Sequence, residues 1–107
     1  MDKSRRQQIE EMLAEDPKDT FLRYGLAMEH VSEGNDAEAV RTLRELLMIA
    51  PNYVPAYQQA GQALIRLGLG EEAREMLNRG SQVAREQGDQ HANEEMQGFL
   101  ANLEVEE

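Results

Sequence analysis

Apolar side chains along this chain recur at helical spacing, in blocks separated by proline or glycine. Ile9, Met12 and Leu13 form one stripe over 4–15, with Ser4 as its cap and Pro17 as its stop. Over 20–33, Leu22, Leu26, Ala27, His30 and Val31 share a face behind an N-cap at Asp19 or Thr20, and Gly34 ends the block. Asn35 and Glu38 have capping-box spacing for a helix over 36–50, whose buried face is Ala39, Leu43, Leu46, Leu47 and Ala50. Pro55 then sits near a first helical turn, ahead of Tyr57, Ala60, Gly61, Leu64, Ile65 and Leu67. Gly68 and Gly70 are expected to make the next turn, and a helix over 71–87 runs through Ala73, Leu77, Gly80, Val83 and Ala84 to Gly88. Asp89 caps a last helix over 90–104 with a stripe of Met96, Phe99, Leu100 and Leu103; Val105 and the closing glutamates are expected to fray. The pattern predicts about six helices and no strand.

The central blocks are one pattern written twice, 34 residues apart. Pro17 recurs as Pro51, Gly34 as Gly68, Glu38 as Glu72, Ala39 as Ala73, Leu43 as Leu77 and Ala50 as Ala84. Ile9 falls where Leu43 and Leu77 fall, so the first block reads as the second helix of a repeat. A period of this length marks stacked helical hairpins. Small residues at Ala60 and Gly61 would let the two helices of a hairpin approach closely.

Tyr57, Ala60, Gly61, Leu64, Ala73 and Leu77 resemble the motif of the tetratricopeptide repeat family, as do Arg23, Leu26, Ala27, His30, Ala39, Leu43 and Pro51 in the first copy. The first copy departs from the motif at its Trp and Tyr positions, and the second has Arg85 in place of the final proline. The resemblance implies an all-α, right-handed superhelix of antiparallel hairpins in a single domain. Residues 1–16 would be an N-terminal capping helix, 17–50 and 51–87 two repeats, and 88–107 a capping helix with its tail. Glu94 and Glu95 are expected at the paired Leu–Gly positions of the last helix.

Composition narrows the functions. The 107 residues suffice for one domain, and the shortage of aromatic and β-branched residues favours helix. Without cysteine there is no disulfide, thiolate or zinc–cysteine chemistry. A formal charge of −10, with the bases scattered, argues against nucleic acid and anionic membranes. No apolar run approaches the ~20 residues of a membrane span, and a soluble, cytoplasmic protein is expected.

Catalytic motifs are absent. Gly68-x-Gly70-x-x-Ala73 mimics a dinucleotide fingerprint, but it follows a helical pattern, and Glu71 and Glu72 would repel a pyrophosphate. His30 and His91 share no ligand spacing; His30 is expected to pack with a satisfied ring and His91 to be exposed. Glu10 and Glu11, Glu71 and Glu72, and Glu94 and Glu95 are adjacent on helices and do not converge. No enzyme activity, catalytic residue, metal or cofactor is expected.

In tetratricopeptide domains partner peptides lie on the concave surface made by the first helices of the hairpins. The resemblance therefore implies a protein-interaction module, with Phe21, Tyr24, Met28, Gln58, Gln62 and Arg66 lining the groove. Val31 and Ile65 are expected to pack, and whether Met96 and Phe99 fill the end of the groove is left open by the sequence. The carboxylate-gripping Lys, Arg and Asn set of some family members has no counterpart, because Tyr24, Met28 and Gln59 stand at its positions. The expected partner is a protein or peptide segment, neutral to basic and partly apolar. The alternative is a structural or self-associating module; the chain itself is expected to be a monomer or weak homodimer.

Overall fold

The computed structural model describes residues 2–105. It contains α1 (Arg5–Glu15), α2 (Thr20–Ser32), α3 (Asp36–Ile49), α4 (Val54–Arg66), α5 (Gly70–Gln87) and α6 (Gln90–Val105), and no strand among the described residues. Val105 is still helical, and Glu106 and Glu107 lie outside the described residues.

The helix ends follow from local chemistry. Ser4 and Gln7 form a reciprocal capping box on α1. Asp19 accepts from the Leu22 amide at 3.0 Å, and Asp89 from the Ala92 amide at 3.1 Å. The capping box expected at Asn35 is only half made: Asn35 accepts from the Glu38 amide, while the Glu38 carboxylate is held by Arg41. That pairing keeps the Glu38 carboxyl below its ordinary pKa.

The turn after each first helix is the same object twice. Gly34 and Gly68 both have φ +78°, and the following amides close on the helix, Asn35 to the His30 carbonyl at 2.8 Å and Leu69 to the Leu64 carbonyl at 2.9 Å. Gly70 does not belong to the turn as expected; it is the first residue of α5, because one left-handed residue is enough to reverse the chain.

Consecutive helices pack on one another, and α6 also touches α4. The extents of 48 × 28 × 19 Å describe a short stack. Its radius of gyration of 14.4 Å exceeds the roughly 13 Å of a compact chain this long.

The tightest packing lies in the second half. A Cβ on Gly61 would stand 2.4 Å from Leu77 Cδ2, so the close approach inside the hairpin requires glycine. Gly80 is held as tightly from two sides: a Cβ there would come within 2.4 Å of Tyr57 Cβ and 2.7 Å of Met96 Sδ. Three helices therefore meet at Gly80.

The end of the stack departs from expectation. The α6 cap, Asp89, comes 36 residues after the N-cap of α4, Tyr53, rather than 34. Glu94 and Glu95 consequently stay exposed, and the stripe that turns inward is Ala92, Met96, Leu100 and Leu103. Met96 does not fill a groove; it is fully buried against Gly80. Ser81, buried on α5, ties the two last helices together: its hydroxyl donates to Asn93 and accepts from Gln97 Nε2 at 2.8 Å.

Candidate interaction surface

The six residues expected to line the groove fall into two groups. Phe21, Tyr24 and Met28 lie together on α2, along a cleft of about 350 Å³ between α1 and α2. Ile9, Met12 and Gly25 complete its apolar lining. Phe21 is 77% exposed and Met12 47%, so the stripe expected on α1 is only partly inside: Ile9 alone is buried. No helix among the described residues lies on the outer side of α1 to cover Met12.

Tyr24 is half-buried. Its ring meets Tyr53 with centroids 5.5 Å apart and planes tilted by 45°. Burial raises its pKa above the ordinary phenol value. At neutral pH the hydroxyl keeps its proton, and it is hydrogen-bonded to Gln59 of α4 at the edge of the cleft.

The other three residues are already engaged or flank them. Arg66 forks onto Asp36 of α3, with Nε at 3.0 and 3.1 Å and Nη2 at 2.9 Å, so it is not a free groove cation. Gln58 donates to Glu95 of α6 at 3.3 Å. Gln62, one turn further along α4, is half-buried. Sequence reasoning could not see these partners, since Asp36 and Glu95 lie 30 and 37 residues away.

Two residues that the pattern passed over belong to the surface. Met12 belongs to the apolar stripe of α1, yet it lines the open cleft. Gly25 has no repeat role, and its bare backbone deepens the cleft: a Cβ there would lie 3.6 Å from Ile9 Cδ1, an ordinary contact.

Ion pairs frame the region. Arg5 meets Glu29 at 3.3 Å at one end of the cleft, and Arg6 meets Glu33 at 3.2 Å beyond it. His30 is buried, but its Nδ1 has no hydrogen-bond partner among the described residues, against the satisfied ring expected. His91 is exposed, with Glu95 3.4 Å from its Nε2. No group of three or more metal-ligating side chains occurs among the described residues, and no helix among them is long and apolar enough to cross a membrane.

A tetratricopeptide repeat family model matches residues 6–60 and again 30–103. The chain belongs to the tetratricopeptide repeat family. A TPR repeat-containing protein of Pseudomonas aeruginosa is 29% identical over 96 residues, covering 90% of this chain and 91% of the relative. The solution structure of a tetratricopeptide repeat domain protein from Salinibacter ruber is 35% identical, with a TM-score of 0.79 over 85% of this chain and 92% of that one. The TPR2B domain of yeast Sti1, solved as a complex with pHsp70, superposes with a TM-score of 0.88 over 95% of this chain and 82% of that one. At 19% identity it speaks to the fold alone. Tetratricopeptide repeats are protein-interaction modules, and the family is in general one of non-enzymatic scaffolds.

Proposed function

We propose that this chain is an adaptor that binds a segment of another protein along the α2 flank, with Phe21, Tyr24 and Met28 as its anchors. The observation that carries the reading is the exposed apolar wall: Phe21 is largely in water beside Met28 and Met12, while polar and charged residues surround it. Aromatic anchors in a cleft are where binding free energy concentrates. Gln58, Gln62 and Arg66 extend the surface along α4, where the glutamines suit the backbone of a bound peptide. Arg66 serves it through the Asp36 pair, as a positioned fork whose exposed edge remains open. The net charge of −10 favours a partner that is neutral to basic and partly apolar, and it opposes nucleic acid and anionic membranes. On this reading the setting is cytoplasmic and the free chain is a monomer or weak homodimer. The Sti1 domain in complex with pHsp70 is a precedent for a partner-bearing stack of this fold, not for this partner.

The test is capture from a lysate on the immobilised chain, in parallel with the double variant Phe21→Ser and Tyr24→Ala. The wild type should retain proteins that the variant loses by more than tenfold, about 1.4 kcal/mol, with the variant still cooperatively folded although its melt falls with the loss of the Tyr24–Tyr53 contact. Equal retention would remove the site from α2.

A further inference from the structure

The cleft between α1 and α2 has a filled counterpart inside the same molecule. Moving 34 residues along, Gln8, Ile9 and Met12 become Thr42, Leu43 and Leu46 of α3, all fully or almost fully buried. Leu22 and Glu29 of α2 are half-buried, whereas their counterparts Ala56 and Ala63 on α4 are completely buried. In the second position the covering element is α2, which packs on α3 and reaches over to α4 through Tyr24 and Tyr53. Tyr24 also bonds Gln59, whose counterpart at the cleft is Gly25. The cleft is thus the seat that a first helix of a hairpin occupies one repeat later, and no helix among the described residues lies on it.

From this we infer that the cleft binds an amphipathic α-helix of a partner protein, laid across α1 and α2 as α2 is laid across α3 and α4. It rests on the interaction role of the α2 flank given above and names the shape of the ligand. The helix completes a hairpin with α1. It covers Met12, sets a ridge of small and apolar side chains over Gly25, and lies against the inner side of Phe21. A second copy of this chain is disfavoured as the occupant, for two reasons. Its own α6 turns Ala92, Met96, Leu100 and Leu103 inward and shows polar residues outward. Two chains of charge −10 also repel. The same net charge selects a helix with a basic outer face; on α1 itself Glu10 and Glu11 already pair with Arg6 and Lys3, and Glu15 lies exposed.

The seat is testable with a helix of known fit. The probe is a synthetic peptide of the α2 sequence, Thr20–Ser32, extended by lysines, titrated into the isotope-labelled full chain. Binding should shift the amide signals of Gln8, Met12, Gly25 and Met28, turn the peptide helical, and weaken as salt rises. Met12→Glu charges the floor of the seat and should weaken binding at least tenfold. A chain with the same helix fused ahead of Asp2 through a flexible linker gives a second readout, a melting temperature raised by roughly 4 °C or more. An unchanged melting temperature together with no α1 shifts overturns the seat. Shifts confined to Gln58, Gln62 and α6 overturn the helical ligand but leave the groove reading standing. Loss of lysate capture by the Phe21 and Tyr24 variant with no helix binding separates the two in the same way. A concentration-dependent dimer that protects Met12 and Phe21 overturns the choice of a partner over a second copy.

Discussion

The two ends of the stack follow one pattern and come out differently. At the C-terminal end, α6 buries Met96 completely and Leu100 and Leu103 almost completely, and presents glutamates, glutamine and asparagine to water. At the N-terminal end, α1 carries an equally regular stripe but buries only Ile9. Helical periodicity says which side chains share a face; it does not say whether anything lies on that face. A repeat protein settles that by its neighbours, since each helix buries its stripe only against the next one. The C-terminal end of the described stack shows a polar outer face to water, whereas the N-terminal end leaves Met12 and Phe21 there.

The sharpest test sets two methionines against each other. Met96→Ala should cost about 3 kcal/mol, as expected for a large-to-small change in a packed interior, whereas Met12→Ala should cost well under 1 kcal/mol. Urea unfolding of both variants measures the difference, and equal losses would mean that the two ends are alike.

Glycines provide the next comparison, because the sign should change along the chain. Gly80→Ala forces Tyr57 or Met96 to move, and overpacking of this kind typically costs about 1–3 kcal/mol. Gly61→Leu should lose at least as much, through Leu77. Thermal melts of these variants should fall by several degrees; a melt equal to wild type for Gly61→Leu would misplace the hairpin contact.

Tyr57 and Arg23 stand at the same repeat position and make the same bond. The Tyr57 hydroxyl and Arg23 Nε each donate to the carbonyl of the proline six residues earlier, Pro51 and Pro17, at 2.7 Å. Tyr57→Phe removes a bond from a buried residue and should cost about 1 kcal/mol, read from the denaturation midpoint. Arg23→Leu lies nearer solvent and should cost less.

The smallest expected effect is a gain. Gly25→Ala meets only Ile9 Cδ1 at an ordinary distance and sits inside a helix, so it should stabilise the free chain by roughly 0.5–1 kcal/mol. A loss on calorimetry would show that the cleft floor is tighter than its distances imply.

Much of the architecture was legible in the order of residues. Six helices, their caps at Ser4, Asp19 and Asp89 and the reversals at Gly34 and Gly68 are local features, decided within a turn or two by side-chain oxygens and by the freedom of glycine. The 34-residue repeat fixed which helices pair, because matching stripes can be buried only by stacking. The longer α5 ending at Gly88 and the Asp89 cap were legible as well; that Ala92 turns inward with Met96, Leu100 and Leu103 while Phe99 stays half-buried was decided by packing.

The surface was legible only in part. The sequence placed Phe21, Tyr24 and Met28 on one flank of α2, because that requires nothing beyond 3.6 residues per turn. Tertiary structure alone decided that Arg66 is paired with Asp36, that Gln58 reaches Glu95, and that Met12 and Gly25 belong to the same cleft as Phe21. Each of those facts joins residues on different helices. Their distance depends on how the hairpins stack, a sum of many small packing contacts that no single residue type announces.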